Sequence, residues 1–284
     1  MSRHAIFVIN PSRAEAVAAA KEISQILLKD GFTLSTPSDV SVLGISEMNS
    51  ASLAAAEVVV VLGGDGTILR GAEIARNKSI PILGINLGHV GFLAEVEKPT
   101  HAEIAANIIA KEYVTENRMI LKYSVLRDGE VASDGWALNE VTVERDGTTM
   151  VELFVQIDNR PLSRWGCDGL ICSTPTGSTA YAFSAGGPVL WPEIDALVLL
   201  PISAHALFAR PMVVSPTSEI VVEIESSEAL LSGDSLRKFA LKAGDQVHIS
   251  KDASVVKLAH IKPTLFTDRL VAKFKLPVEG WRGE

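Results

Sequence analysis

The sequence predicts an N-terminal α/β domain, a parallel sheet with helices, followed by a C-terminal β-rich domain. Three observations carry this. Apolar strands alternate with helical periodicity over the first third of the chain. Four consecutive valines, Val58 to Val61, make a strand that is apolar on both faces, as in a sheet covered on either side. Beyond about Arg118 the helical spacing nearly vanishes and short alternating segments take over.

Taken in order, Ala5 to Asn10 is apolar and β-rich. Ser12 to Asp30 has helical periodicity, with Ser12 and Glu15 at capping-box spacing and Gly31 as the stop. Glu57 to Leu62 is the valine strand, Thr67 to Asn77 a helix, Ile80 to Asn86 an apolar strand and Pro99 to Tyr113 a helix. Met119 to Arg127 then alternates, and Asp128-Gly129 marks a hairpin. Strands are predicted over Ala137 to Arg145, Thr149 to Asp158, Leu170 to Ser173, Ala196 to Pro201, Glu219 to Glu225 and Gln246 to Lys251. One short helix falls between them, from about Ser178 to Ala185, and the tail carries a helical turn, Thr267 to Phe274.

Composition narrows the function classes. The net charge of −8, with no basic stripe, speaks against a general nucleic-acid binder. Anionic substrates stay compatible if a metal ion and backbone N–H groups neutralise them. No segment approaches the apolar length of a membrane span, and Met1 to Asn10 lacks the make-up of a signal peptide, so the expected location is the cytoplasm. Cys167 and Cys172 read as two reduced, buried thiols.

The chemistry is carried first by Gly63-Gly64-Asp65-Gly66-Thr67, which follows the valine strand directly and opens a helix. In an open α/β sheet, ligands bind outside the carboxyl ends of the strands. The glycines let the backbone take positive φ and approach a ligand closely, and the first N–H groups of the helix suit phosphate. A plain turn would not need an aspartate between glycines at that place. The chain contains no Gly-Lys dipeptide, so there is no Walker A loop, and Leu69 stands where the dinucleotide fingerprint needs its last glycine.

This loop resembles the GGDGT signature shared by NAD kinases, diacylglycerol-type lipid kinases and, more distantly, phosphofructokinases. Four further segments resemble the NAD kinase family, and its bacterial branch most. They are Asn86 to Ala94, Ala137-Leu138-Asn139-Glu140-Val141, Asp168 to Ile171 with Ser173 to Tyr181 and Ser184 to Pro188, and His205-Ala206-Leu207 with Arg210-Pro211. Alone, Asn139-Glu140 could be an exposed strand pair, Thr174 to Tyr181 a polar cap, and His205 a structural histidine. Ser184 has the spacing of a hydrolase elbow, but Ala182 replaces its first glycine. The family order of all five segments is what selects among these readings.

The resemblance implies transfer of a phosphoryl group from ATP, or also inorganic polyphosphate, to the 2′-hydroxyl of the adenosine ribose of NAD. Asp65 is the candidate catalytic carboxylate. Asp65, Gly66, Asn139, Glu140, Asp168, Thr176, Thr179, Ala180, Tyr181 and Ser184 are the candidate NAD-binding residues. Gly63, Gly64, Gly66, Thr67 and Arg70 are the candidates for the donor phosphates. The loop contains no lysine, so charge on the donor falls to Mg²⁺ or another divalent metal, to backbone N–H groups and to Arg70, which could equally be a solvated surface arginine. No metal ligand is assigned. The resemblance further implies a homodimer or homotetramer, and a tail that returns to the first domain. The expected domains are therefore 1–118 with 263–284, and 119–262. Asp234-Ser235 departs from the Asp-Gly of many relatives. Two alternatives stay open at this point: a lipid or sphingoid kinase sharing the glycine loop, and a non-catalytic NAD-binding sensor.

Overall fold

The structure, a computed structural model, describes residues 3–87, 91–94, 99–226, 228–262 and 264–278, without the side chain of Ser41. The chain divides into two units, Met1–Asn117 with Val256–Glu284, and Arg118–Val255. The return to the first unit falls inside a long strand, ahead of the return at 263 expected from the sequence. No breaker residue marks that crossing, because the backbone simply continues through it.

The first unit contains strands β1 (His4–Ile9), β2 (Thr33–Thr36), β3 (Ser46–Glu47), β4 (Ala56–Leu62) and β5 (Ile82–Ile85). Helices α1 (Ala14–Lys29), α2 (Ser50–Ala55), α3 (Asp65–Ala75) and α4 (His101–Ala110) connect them. Their order is β5-β4-β1-β2-β3, every pair parallel. Val58 to Leu62 are fully buried, as the valine run predicts for a central strand. Helix α1 buries Ala16, Ala19, Ala20, Ile23 and Leu27, one stripe at helical spacing.

Helix α1 ends as the glycine signal predicts. Gly31 takes φ +88°, and the Phe32 and Gly31 N–H groups bond Leu27 O and Leu28 O at 3.0 and 3.1 Å. Its start differs from the sequence reading. The N-cap is Arg13, without a side-chain cap, while the Ser12 hydroxyl donates to Asn10 Oδ1 at 2.7 Å. The Ser12 N–H donates to the same oxygen at 3.1 Å, so the Asn10 side chain folds Ser12 into a local turn and the helix begins after it. A capping box forms instead at α4, where Thr100 and Glu103 bond reciprocally.

The second unit holds strands β6 (Val114–Arg127), β7 (Glu130–Ala137), β8 (Glu140–Arg145), β9 (Val151–Ile157), β10 (Arg160–Cys167), β11 (Gly169–Ser173), β12 (Leu197–Ile202), β13 (Met212–Val214), β14 (Ile220–Ile224), β15 (Glu228–Gly233), β16 (Arg237–Lys242) and most of β17 (Gln246–His260), with the short helix α5 (Tyr181–Ser184). β17 carries the chain back into the first unit, where its end pairs with β5 in parallel and is followed by helix α6 (Phe266–Phe274).

One antiparallel sheet of the second unit runs β13-β12-β11-β8-β15-β16 and another joins β10-β9-β14-β17. Inward residues of both, among them Val151, Trp165, Leu170, Cys172, Leu199 and Val222, form one core. β11 is buried on both faces: Leu170 and Cys172 point into that core, while Ile171 packs with Ala182, Leu190, Val198 and Leu200 beneath the segment after Ser173. Both cysteines are free and buried, and burial pushes their thiols up to about 11 and about 12. The sequence reading missed the β9–β10 hairpin, whose turn is Asp158-Asn159 with φ of 53° and 60°. Neither residue is glycine, so the turn signal is weaker than at Asp128-Gly129.

Helix α3 sits close against the sheet at Gly71, where an added Cβ would lie 2.7 Å from Val61 Cγ2. Val61 is fully buried and stiff at χ1. Gly71→Ala gains about 1 kcal/mol of helix propensity. Overpacking costs about 1–3 kcal/mol, so the variant is expected to be less stable in urea unfolding. A more stable variant would mean that α3 can move away from β4.

Candidate functional site

In the first unit the candidate residues lie where β4 ends and α3 begins. Gly63 continues the sheet, its N–H donating to Ile85 O at 3.1 Å. Gly64 is the N-cap of α3, and Asp65 is its first residue. Positive φ is not the reason for these glycines: Gly64 has φ −88°, and neither Gly63 nor Gly66 is left-handed. Space is the reason. A Cβ on Gly63 would lie 2.4 Å from Thr67 Oγ1, whereas Gly64 and Gly66 face open space. They line a cleft of about 350 Å³ together with Thr67, Arg70, Asn10 and Arg13.

Arg70 faces this cleft and is tied down. Its Nη2 pairs with Asp39, and its Nη1 reaches Ile9 O at 3.4 Å. Asn10 and Arg13 escaped the sequence reading. They follow β1, which neighbours β4, so only the sheet order brings them to the loop. Two cations and the start of a helix suit an anionic ligand in such a cleft.

The Asp65 carboxylate is turned toward the segment after β5. Phe92 N–H donates to Oδ2 at 3.1 Å and Leu93 N–H to Oδ1 at 3.2 Å. A Cβ on Gly91 would lie 2.4 Å from Oδ1, so only glycine lets the backbone pass there. Gly88, His89 and Val90 of the same motif lie outside the described residues.

In the second unit Asn139 and Glu140 sit where the chain passes from β7 to β8. They are held by a residue that the sequence reading noted only as a departure. The Asp234 carboxylate accepts from Leu138 N–H and Asn139 N–H at 2.7 Å each, and from Glu140 N–H at 3.3 Å. Asp234 N–H returns a bond to Glu140 O at 3.0 Å. Asp234 and Ser235 both take left-handed φ, 53° and 58°. The serine therefore accepts a left-handed turn conformation that glycine adopts freely.

The signature Ser173 to Tyr181 is bolted to this segment. Thr174 Oγ1 donates to Leu138 O at 2.6 Å, and Thr174 N–H and Ser173 Oγ donate to Asn139 O at 2.9 and 3.2 Å. A Cβ on Gly177 would lie 2.1 Å from Asn139 O. Ser178 Oγ bonds Pro175 O and accepts from Leu190 N–H. Ser173, Thr174 and Ser178 thus spend their hydroxyls on the fold. Of the candidates, Thr176 is buried beside the Arg118 guanidinium, Thr179 and Ala180 are half-buried, and Tyr181 and Ser184 are exposed. Asp168 pairs with Arg145 at 2.9 Å. His205 is exposed, and its N–H bonds Gly166 O.

Tyr181 links two candidates. Its backbone N–H bonds the Glu140 carboxyl, and its hydroxyl donates to Glu144 Oε1 at 2.8 Å. Burial and the bond to Glu144 push the phenol up to about 12, so it stays a donor. Glu144 also escaped the sequence reading, because it lies four residues beyond the Asn-Glu pair, on the strand itself. The Glu140 carboxyl is pushed up to about 8, by burial first, then by Asp234, with Glu144 adding to the rise and the Tyr181 N–H opposing it. Its Oε2 is buried and finds no hydrogen-bond partner among the described residues. Burial also raises Asp234, to about 6, against the pull of its three N–H bonds.

These shifts carry a signed stability dependence. In the unfolded chain both carboxyls titrate near about 4. Between there and their folded values the folded protein holds protons that the unfolded chain has lost, so their contribution to stability falls as pH rises. Glu140→Gln is neutral throughout. It is expected to gain stability relative to wild type from about pH 6 to pH 8, by up to about 1.4 kcal/mol per pH unit. A difference in melting temperature that does not change with pH would mean that Glu140 titrates as an exposed carboxylate.

The same two units are recognised by comparison with known proteins. The family model of the ATP-NAD kinase N-terminal domain matches residues 5–113, and that of the C-terminal domain matches 138–261. Over 99% of its length the chain is 44% identical to the NAD kinase of Mycolicibacterium paratuberculosis, covering 98% of that protein. It is 42% identical to the NAD kinase of Thermobifida fusca, covering 99% of this chain and 92% of the relative. Among solved structures, a yeast NADH kinase complexed with NADH shares the fold, with a TM-score of 0.85 at 23% identity over 99% of this chain and 89% of that one. An NAD kinase from Archaeoglobus fulgidus in complex with ATP matches with a TM-score of 0.72 at 28% identity, over 96% and 98%. With both domain models matched in order, and relatives above 40% identity along the whole length, the chain belongs to the ATP-NAD kinase family.

Proposed function

We infer that the protein transfers a phosphoryl group from ATP to the 2′-hydroxyl of the adenosine ribose of NAD, giving NADP. The observation that carries this is the family match in both units, with NAD kinases as its full-length relatives. The same relatives do not favour a lipid kinase or a non-catalytic sensor. No helix among the described residues is long and apolar enough to cross a membrane. The reading places the enzyme in the cytoplasm as a homodimer or homotetramer, as the resemblance implies.

The proposed roles join the family resemblance to the geometry of each unit. Gly63, Gly64, Gly66, Thr67 and Arg70 take the donor phosphates in the cleft at the start of α3, where Arg13 adds a second cation. Asn139, Glu140, Asp168, Thr176, Thr179, Ala180, Tyr181 and Ser184 take NAD. The unpartnered Glu140 Oε2 is an acceptor for a substrate hydroxyl, and the exposed face of Tyr181 is a stacking surface. Asp65 orients the ribose hydroxyl and accepts its proton as the new O–P bond forms and the bond to the ADP leaving group breaks. Each Asp65 oxygen accepts one N–H bond, which fixes the carboxylate and leaves lone pairs for the hydroxyl.

Phosphoryl transfer is mainly positioning and neutralisation of charge. No group of three or more His, Cys, Asp or Glu among the described residues could cage a metal. The resemblance implies Mg²⁺ or another divalent metal, which would come with the phosphate oxygens of ATP, since Mg²⁺ keeps its waters and takes few protein ligands. When bound there, the ion offsets the donor's negative charge.

Two outcomes test this. Purified protein with NAD, Mg²⁺ and ATP is expected to form NADP, with inorganic polyphosphate as a second donor arm. Absence of NADP with both donors overturns the reading. Asp65→Asn is expected to lower kcat by about 10²–10⁴-fold while directly measured NAD binding changes little. Turnover within about threefold of wild type, under roughly 1 kcal/mol on the barrier, would remove Asp65 from the chemistry.

A further inference from the structure

Asp65 is held by the backbone of residues 91–94, and that short segment is itself held from the far end of the chain. Arg269, on α6, is 3% exposed. Its Nη1 donates to Phe92 O at 3.2 Å and to Ala94 O at 2.6 Å. The Phe92 carbonyl and the Leu93 N–H that grips Asp65 share one planar peptide group, so the guanidinium on that carbonyl sets the tilt of the Leu93 N–H, while its bond to Ala94 O anchors the same segment two residues on. Its Nη2 lies 3.3 Å from His260 Nδ1. A guanidinium only donates, so Nδ1 accepts, and the ring proton sits on Nε2 and points to Glu116 Oε1 at 2.7 Å. The buried cation is thereby backed by a histidine and a carboxylate.

Packing acts on the same segment. The Phe92 ring lies 5.8 Å from that of Phe266 and 5.7 Å from that of Phe274, at the two ends of α6. From the sheet side, a Cβ on Gly84 would lie 3.3 Å from Ala94 Cα, and one on Gly91 would meet Asp65. The segment therefore has little room to shift between the sheet and the helix, and the guanidinium sets which way its peptides face.

We propose that Arg269 is a positioning residue for phosphoryl transfer: by binding the Phe92 and Ala94 carbonyls it holds the segment that grips the Asp65 carboxylate, and fixes directly the Phe92–Leu93 peptide whose N–H bonds Asp65 Oδ1. The proposal rests on the reading of Asp65 as the reacting carboxylate. The bonds of Arg269 to Phe92 O and Ala94 O act on Asp65 through the backbone, so its removal is expected to act on kcat and to leave NAD affinity in place. Misplacement of a reacting group by about 1 Å costs about 10²-fold in rate.

The test is a double-mutant cycle on the full chain with ATP, Mg²⁺ and NAD, alongside calorimetric titration of NAD. Arg269→Ala is expected to lose about 30-fold or more in kcat, with the NAD dissociation constant within about threefold. Low-millimolar guanidinium is expected to restore part of that loss and to leave wild type unchanged. In the Asp65→Asn background, removing Arg269 is expected to cost nothing further, because its route to the chemistry is already broken. Arg269→Lys, which keeps the charge but not the fork, is expected to fold and to show a smaller loss confined to kcat. A kcat within threefold for Arg269→Ala, an additive loss in the double variant, or loss of folding in both single variants would overturn the proposal and leave Arg269 an anchor of α6. Wild-type turnover in Asp65→Asn alone would instead sink the reading of Asp65, whatever Arg269 does.

Discussion

A carboxylate taken out of water must be given donors, and each unit builds its candidate site around that need. In the first, Asp65 receives the Phe92 and Leu93 N–H groups. In the second, Asp234 receives those of Leu138, Asn139 and Glu140. Irregular backbone supplies N–H groups that no strand or helix has used, so each acid both satisfies a loop and fixes its shape. The consequences differ. Asp65 takes one N–H on each oxygen and stays half-buried, whereas Asp234 is buried and spends its carboxylate on the loop that carries Glu140.

Burial then sets the character of Glu140. With burial and Asp234 outweighing the Tyr181 N–H, and Oε2 without a partner among the described residues, its carboxyl is pushed up to about 8. An acceptor in that state is poor ground for stability and good ground for recognition. In the proposed role a ligand hydroxyl would supply the missing bond, which is worth more where water is excluded. The surrounding hydroxyls of Ser173, Thr174 and Ser178 are consumed internally, so the loop keeps its form.

The glycines divide the same way. Gly63, Gly91 and Gly177 are demanded by contact, since an added Cβ would strike Thr67, Asp65 or Asn139. Gly64 and Gly66 border the open cleft. The sequence reading gave the loop glycines two reasons, positive φ and close approach to a ligand; the backbone shows no positive φ there, and the crowding at Gly63 comes from Thr67.

Much was legible in the residues alone. The valine run placed a buried central strand, the glycine loop marked the strand-to-helix turn where a cleft opens, and the ordered motifs named the family. The hairpin turned by Asp158-Asn159 and the true start of α1 were not legible, because both hang on local bonds that weak turn formers and an early asparagine make. Asn10 and Arg13 in the cleft, Glu144 on Tyr181, Asp234 under the Asn-Glu pair and Arg269 behind Asp65 could come only from the tertiary structure. Local periodicity reports which face of an element is buried. It carries no record of which distant backbone N–H a carboxylate will meet, and that meeting is set by sheet order and by the packing of chain segments up to 177 residues apart.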